Sequence, residues 1–433
     1  MYRPTGHHHP GRYPDTQATC ILEPMPSIDA SDIFSPSAME DPYPLYARMR
    51  ALGPVCGLDG TRAFFVARHA AIEEAVRRPE DFSSRLSGVL VCGDDGSPRI
   101  FDLGASGIAS DVIATADAPD HAVQRRLLMP PLKATRIAAM EEGIRGFASE
   151  RVAQLLRAGG GDWCDTVAEA LPAYVVMNLL GLDDGALDAV RRWAMMGGDL
   201  LGGRVNAAQM DTLLQETTAM GAFLGAHFGR RLAVPAARRG TTLTDTLAGG
   251  VEACLISPEQ AIGILMILFG AAGESTASLL GCAVSLMLRT PGLQDRLRAE
   301  PRLIDAFVEE AVRLETPFKF HYRIVTRETG LCGTALRAGD RLLLGWASAN
   351  RDAETWESAD TLRLDRAHGQ RHLGFGHGIH FCIGAPIARL EARVALEELL
   401  RQTRCIALEP ERPARHVPSI FIRRLEHLQL RLS

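Results

Sequence analysis

The chain has 433 residues, 46% hydrophobic and 23% charged, with a formal net charge of −5. That composition is globular with ample apolar material for a large core, and mild acidity without a long basic run argues against a nucleic-acid binder. Nine cysteines, an odd count with no CxxC pair, argue against a disulfide framework or zinc ribbon and favour reduced thiols in a cytoplasmic protein.

The chain opens MYRPTGHHHPGRYPDTQ, with no apolar stretch of signal-peptide length. Residues 1–27 read as a disordered Pro/Gly-rich tail, with His7, His8 and His9 at most adventitious metal ligands, and 28–433 as a single domain. Helical periodicity marks Asp41–Leu52, Ala70–Arg78, Met140–Leu156 and Val167–Leu180. Short β-branched or apolar runs at Ala63–Val66, Arg341–Leu344 and Ile420–Arg423, bounded by turn residues, predict strands. No β-α alternation is present, which disfavours a doubly wound sheet and leaves a mainly α fold with small β-sheets.

Ala261–Leu288 carries one charge, Glu274, and is long enough to span a membrane. Glu274, Ser275 and Thr276 sit in its middle, where lipid burial is costly, and its flanks lack a basic cluster. A helix apolar all round is expected at the centre of a soluble core.

LGFGHGIHFCIGAPIARLEA, Leu373–Ala392, packs four glycines, two histidines and one cysteine ahead of an amphipathic helix. A phosphate loop fits poorly, because the spacing is GxGxG with no βαβ unit around it. Zinc fits poorly, because His377, His380 and Cys382 lack a fourth ligand nearby. A haem-iron thiolate at Cys382 fits best. Backbone N–H groups and the dipole of the helix that Pro386 helps start favour negative charge on sulfur, and glycines let the loop lie against a flat macrocycle.

FGHGIHFCIG, residues 375–384, resembles the haem-binding signature of the cytochrome P450 family, Phe-Gly-x-Gly-x-His-x-Cys-x-Gly. Phe375, Gly376, Gly378, His380, Cys382 and Gly384 fill every fixed position. The resemblance, to soluble bacterial-type members, implies the P450 fold, with the haem between a long central helix and the Cys-ligand loop. It implies haem b (iron protoporphyrin IX) with the Cys382 thiolate as axial ligand to the metal. Glu310 and Arg313, in ExxR, stand where the family carries a buried ion pair, with Arg366 of LRLDR as the third member. His121 and Arg125, one helical turn apart in DAPDHAVQRR, resemble propionate ligands, as do His380 and Arg323, with His321 also near.

AAGEST, Ala271–Thr276, resembles the family's distal-helix motif. The resemblance implies small residues that leave a notch for oxygen, Glu274 as the acid that resupplies protons from solvent, and Ser275 as the adjacent alcohol. Thr276 is the competing hydroxyl; register favours Ser275, since one residue turns a helical side chain by ~100°. Both hydroxyls are equally able to bond back to helix carbonyls.

The family's reaction is monooxygenation of an organic substrate, with a peroxide-driven or non-turnover haem-binding member as the alternative. By analogy, Phe82–Ile113 lies over the haem, with Val89, Leu90, Val91, Ile100, Phe101 and Leu103 as apolar walls joined by Phe318–Phe320 and Ser419–Phe421. An apolar organic substrate follows. No flavin, nicotinamide or iron–sulfur domain is visible, so a separate ferredoxin-type donor with its own NAD(P)H-dependent reductase is implied. Arg126, Lys133, Arg389 and Arg393 are its candidate docking cations.

Overall fold

The computed structural model describes residues 26–93, 95–104, 111–366 and 369–433. His7, His8, His9 and the rest of the tail up to residue 25 lie outside the described residues. Ser27, expected at the end of that tail, already opens a strand, Ser27–Asp29, parallel to Val55–Asp59.

Helices at Tyr43–Leu52, His69–Val76, Ala134–Arg157 and Ala170–Leu180 match the periodic segments. A five-residue π turn, Cys164–Ala168, precedes the last of them. Ala63–Val66 and Arg341–Leu344 are strands and pair in parallel with each other, inside a six-stranded mixed sheet. Ile420–Arg423 is not a strand: Ile422 makes an isolated bridge to Phe318. The Ser419 hydroxyl accepts the N–H groups of Phe421 and Ile422, at 3.1 Å each, and turns the backbone away from a ladder.

The apolar segment forms the central helix, Pro258–Arg289, 32 residues and so about 48 Å long. Its start is fixed by a capping box between Ser257 and Gln260, with Pro258 in the first turn. By length and composition it is the one membrane-span candidate among the described residues, and half of its most apolar stretch is buried. It is apolar on all sides because helices Ala170–Leu180, Leu187–Ala194, Ala207–Leu232 and Ala385–Gln402 surround it.

Two seams set how closely the neighbours approach. A Cβ on Gly197 would lie 3.0 Å from the Gly270 Cα, and a Cβ on Gly273 would lie 2.4 Å from the Ala194 Cβ. Glycine at these places lets the short helix Gly197–Leu201 and its predecessor ride directly on the central helix.

Candidate active site

A cavity of about 220 Å³ separates one face of the central helix from the 374–384 loop and the helix Ala385–Gln402. Among the described residues, Cys382 is the cysteine that lines it. Gly374 allows the loop to touch the preceding layer, where a Cβ would lie 2.5 Å from Val312 Cγ1. Gly378, at φ +71°, passes the Val76 carbonyl in a turn that other residues adopt only with strain. The Cys382 N–H donates to the Phe375 carbonyl at 2.9 Å, which closes the loop.

Burial pushes the Cys382 thiol up, while the N–H groups of Gly384 and Ala385 and the cations Arg125 and Arg389 favour its anion. These donors are where the sequence puts them, at the start of the helix that Pro386 leads. Phe375 lines the cavity beside the sulfur, with the Arg389 guanidinium 4.4 Å from its ring centroid. Gly376, at φ +71°, and Gly384 complete the lining on this side.

At one end of the cavity stand His121, Arg125, His321, Arg323 and His380. The His121 and His380 rings lie 4.1 Å apart, and the Nε2 atom of each is buried without a hydrogen-bond partner. Arg125 donates to the Phe381 carbonyl at 2.9 Å and Arg323 to the Tyr322 carbonyl at 2.7 Å. His321 Nδ1 accepts from Trp346 Nε1 at 2.7 Å, which orients its ring. Burial, with Arg323 and the neighbouring imidazoles, pushes His380 down to about 3, and burial with Arg323 does the same to His321. Asp117 favours the cationic forms of Arg323 and His121. Orphaned nitrogens beside the buried Arg323 and half-buried Arg125 guanidinium groups make a wall of donors short of acceptors, which fits a macrocycle with two anionic carboxylate arms.

Across the cavity, Ala271, Ala272, Ser275 and Thr276 share the face of the central helix that lines it. The Ser275 hydroxyl donates to the Ala271 carbonyl at 2.6 Å, so the back-bonded reading holds for this residue even as it faces the cavity. Glu274 is buried and points elsewhere. A Cβ on Gly198 would lie 2.6 Å from both its carboxylate oxygens, and Arg424 Nε lies 3.4 Å from Oε1. Burial pushes Glu274 up to about 8, with the Asp199 carboxylate adding to the rise and Arg424 opposing it. Sequence reasoning missed Gly198 and Arg424, which share no motif with Glu274.

Glu310 and Arg313 form a fully buried pair at 2.7 and 2.8 Å, and Arg366 Nε comes within 3.1 Å of Glu310, so the three expected members meet. Arg313 also donates to the Asn350, Ala359 and Thr361 carbonyls, and Arg366 to those of Glu357, Ser358 and Thr361. The cluster thus nails down the irregular stretch leading to the cysteine loop.

Other expectations are corrected. Val89, Leu90, Val91, Ile100, Phe101 and Leu103 do not line the cavity: Gly88–Cys92 and Pro98–Asp102 form a hairpin whose side chains join the N-terminal core with Phe34, Phe320 and Phe421. Of 318–320 and 419–421, Phe318 reaches the cavity; Ile113, Val175 and Leu179 supply other apolar walls. Arg389 and Arg393 are not free cations. Glu309 holds Arg389 at 2.6 and 2.9 Å, and Glu141 and Glu397 hold Arg393 at 3.0 and 3.2 Å. A second convergence of ligand-type side chains, Cys282, Glu315 and His416, already has its cation, because Arg423 donates to Glu315 at 2.5 Å.

The family model described as Cytochrome P450 matches residues 255–422. Cytochrome P450 144 of Mycobacterium tuberculosis is 38% identical over 406 residues, covering 93% of this chain and 91% of the relative. Linalool 8-monooxygenase of Pseudomonas putida is 28% identical over 417 residues, covering 94% and 98%. A solved structure of a P450 EryK mutant in complex with erythromycin B superposes with a TM-score of 0.78 at 27% identity, covering 91% of this chain and 97% of that one. The chain belongs to the cytochrome P450 family. It is a haem-thiolate monooxygenase, with haem b on a cysteine thiolate as cofactor, and it oxidises an organic substrate with O2.

Proposed function

We propose that Cys382 is the thiolate ligand, that His121, Arg125, Arg323 and His380 receive the haem propionates with His321 beside them, and that Phe375, Gly376 and Gly384 bed the macrocycle. One observation carries this reading: a single cavity has Cys382 on one wall, the cluster of imidazoles and guanidinium groups at one end and Ser275 with Thr276 opposite. Bound haem supplies the O2 activation, in which one oxygen atom enters the substrate and the other leaves as water, using two electrons and two protons.

The chain's own residues manage those protons. Ser275 faces the cavity, where its hydroxyl, bonded back to the Ala271 carbonyl at 2.6 Å, would turn to bound O2, with Thr276 one position on. Glu274 stores the proton: its carboxyl stays neutral up to about pH 8 and so remains a donor at neutral pH. The substrate is apolar, matched to walls that include Ile113, Val175, Leu179 and Phe318.

Electrons arrive from a ferredoxin-type protein served by a separate reductase. It docks where Arg126 and Lys133 stand exposed, with Met129, Ile379 and Phe381 as exposed apolar residues of the same stretch and of the cysteine loop. The working unit is the single domain 28–433, acting in the cytoplasm.

The test is the reduced carbon monoxide complex of the purified holoprotein. The strongly red-shifted Soret band of thiolate ligation is expected, and it should vanish in Cys382→Ala. Product should require O2, reductant and carrier together. A Cys382→Ala protein with the same spectrum would end this reading.

A further inference from the structure

We propose that Arg424 is shared between Glu274 and Glu169, and that its division between these two carboxylates sets how readily Glu274 carries a proton to the cavity. This deepens the reading of Glu274 as proton source and rests on it. Arg424 and Glu169 act as positioning residues, since neither lines the cavity.

The backbone of Arg424 is fixed. Glu274, Ser278 and Cys282 lie on successive turns of one face of the central helix. Ser278 Oγ and Cys282 Sγ both donate to the Arg423 carbonyl, the latter at 3.4 Å. The Arg423 side chain is itself locked, with Nε on Glu315 at 2.5 Å and a terminal nitrogen on the Glu40 carbonyl at 2.9 Å. The Arg424 carbonyl accepts from the Val417 N–H at 2.8 Å. Only the Arg424 side chain is left to move.

That side chain is divided unequally. It donates a hydrogen bond to Glu169 Oε1 at 3.2 Å. Its Nε approaches Glu274 Oε1 at 3.4 Å without hydrogen-bond alignment, and Glu274 Oε2 has no partner. Glu169 is held in place from beyond, because Arg191 donates to its other oxygen at 2.9 and 3.2 Å and also to Asp165. Charges alternate along this ladder. Side-chain exposure rises from 1% at Glu274 through 13% at Arg424, 16% at Glu169 and 28% at Arg191 to 66% at Asp165. A buried acid is thereby linked to the surface. Glu169 closes the π turn, its N–H reaching the Cys164 carbonyl at 3.0 Å. Such turns recur at functional sites.

The other groups facing the pair are few. The Gly198 N–H favours the Glu274 anion; the Asp199 carboxylate disfavours it and also feels the Arg424 charge, so it stands as a lesser third claimant. Cys164 faces Arg424, Glu169 and Asp162, but burial keeps its thiol neutral. Two substitutions therefore act with opposite sign. Arg424→Gln leaves Glu274 with burial and Asp199, so it releases its proton at higher pH. Glu169→Gln removes the competing anion, Arg424 turns to Glu274, and the proton leaves at lower pH.

The experiment follows the carboxyl stretch of protonated Glu274 in infrared spectra of the holoprotein across pH, assigned by its loss in Glu274→Gln. The band should titrate about one pH unit higher in Arg424→Gln and about one unit lower in Glu169→Gln, the range an opposite charge at this distance produces. The pH profile of product formed per reductant consumed should move the same way. Glu169→Asp, which keeps the charge that Arg191 needs, should give a smaller downward shift and serves if the amide variant folds poorly. Shifts of the same sign, or a band that stays put in both variants, would overturn the sharing. If instead Glu274→Gln leaves coupling intact, the proton-source reading falls, and the infrared shifts still decide whether Arg424 is shared.

Discussion

The Arg125 guanidinium donates to the carbonyl of Phe381, the residue before Cys382, at 2.9 Å. One cation thus serves two tasks in the proposed site: it meets an anionic arm of the cofactor and ties helix Asp120–Leu128 to the cysteine loop. Arg125→Ala should lose a charge-assisted hydrogen bond worth ~1.5–3 kcal/mol, or roughly tenfold to a hundredfold in haem retention. Haem transfer to apomyoglobin measures it. An unchanged rate would remove Arg125 from the propionate set.

Glu310 is buried and held by Arg313 and Arg366. Glu310→Gln leaves two guanidinium groups short of their anion, and breaking a buried pair from one side costs ~3–5 kcal/mol. Expression without haem, or a sharply lowered melting temperature, is expected. Arg366→Ala should be milder, because Arg313 still neutralises Glu310.

The raised pKa proposed to make Glu274 a proton source also bears on stability. Its folded-state pKa of about 8 lies above the ordinary carboxyl value, so its neutral form stabilises the fold fully below that ordinary value. The contribution is lost as pH rises toward and through 8. Glu274→Gln should therefore flatten the fall in melting temperature from the ordinary carboxyl value up to about pH 8. The same variant combined with Ser275→Ala should release peroxide in place of product, and Ser275→Ala alone should uncouple more than Thr276→Ala.

Glu309 behaves in the opposite sense. Burial opposes its ionisation, yet His372 and Arg389 bring it down to about 2. The stabilisation it provides is present above its ordinary carboxyl value and is lost as pH falls through the window down to about 2. Glu309→Gln should blunt acid unfolding over that window. It should also perturb the Soret band, because Arg389 bridges Glu309 to the Phe375 ring.

The proposed docking face separates free from bound cations. Arg126→Glu and Lys133→Glu should lower kcat/KM for the electron donor about tenfold each at low salt, and added salt should shrink the effect. Arg393→Glu should act on folding instead, since its guanidinium lies among Glu141, Glu397 and Asp305.

Legibility in the sequence followed the range of the physics. The cysteine loop was readable because the cofactor demands particular residue types at neighbouring positions, and Glu310 with Arg313 because the resembled family carries a buried pair at that place, one helical turn alone fitting any surface pair. The central helix was readable from its unbroken apolar run. Ile420–Arg423 misled because its pattern suits a strand, while the Ser419 hydroxyl decides the backbone. The hairpin of Gly88–Cys92 and Pro98–Asp102 was buried as its apolar residues required, but periodicity does not say which core receives them. The Arg393–Glu397 pair, one turn apart, was visible and overlooked. The links from Glu274 to Gly198 and Arg424 left no trace in the chain, because they join distant segments through shape and charge alone.

The glycine seam at Gly197 and Gly270 has a practical side. Where two backbones meet without intervening side chains, there is nothing to trim and no slack to exploit, so directed evolution for bulkier substrates should find these positions intolerant. Remodelling the chamber has to proceed through Ile113, Val175, Leu179 and Phe318, whose side chains are the adjustable part of the wall.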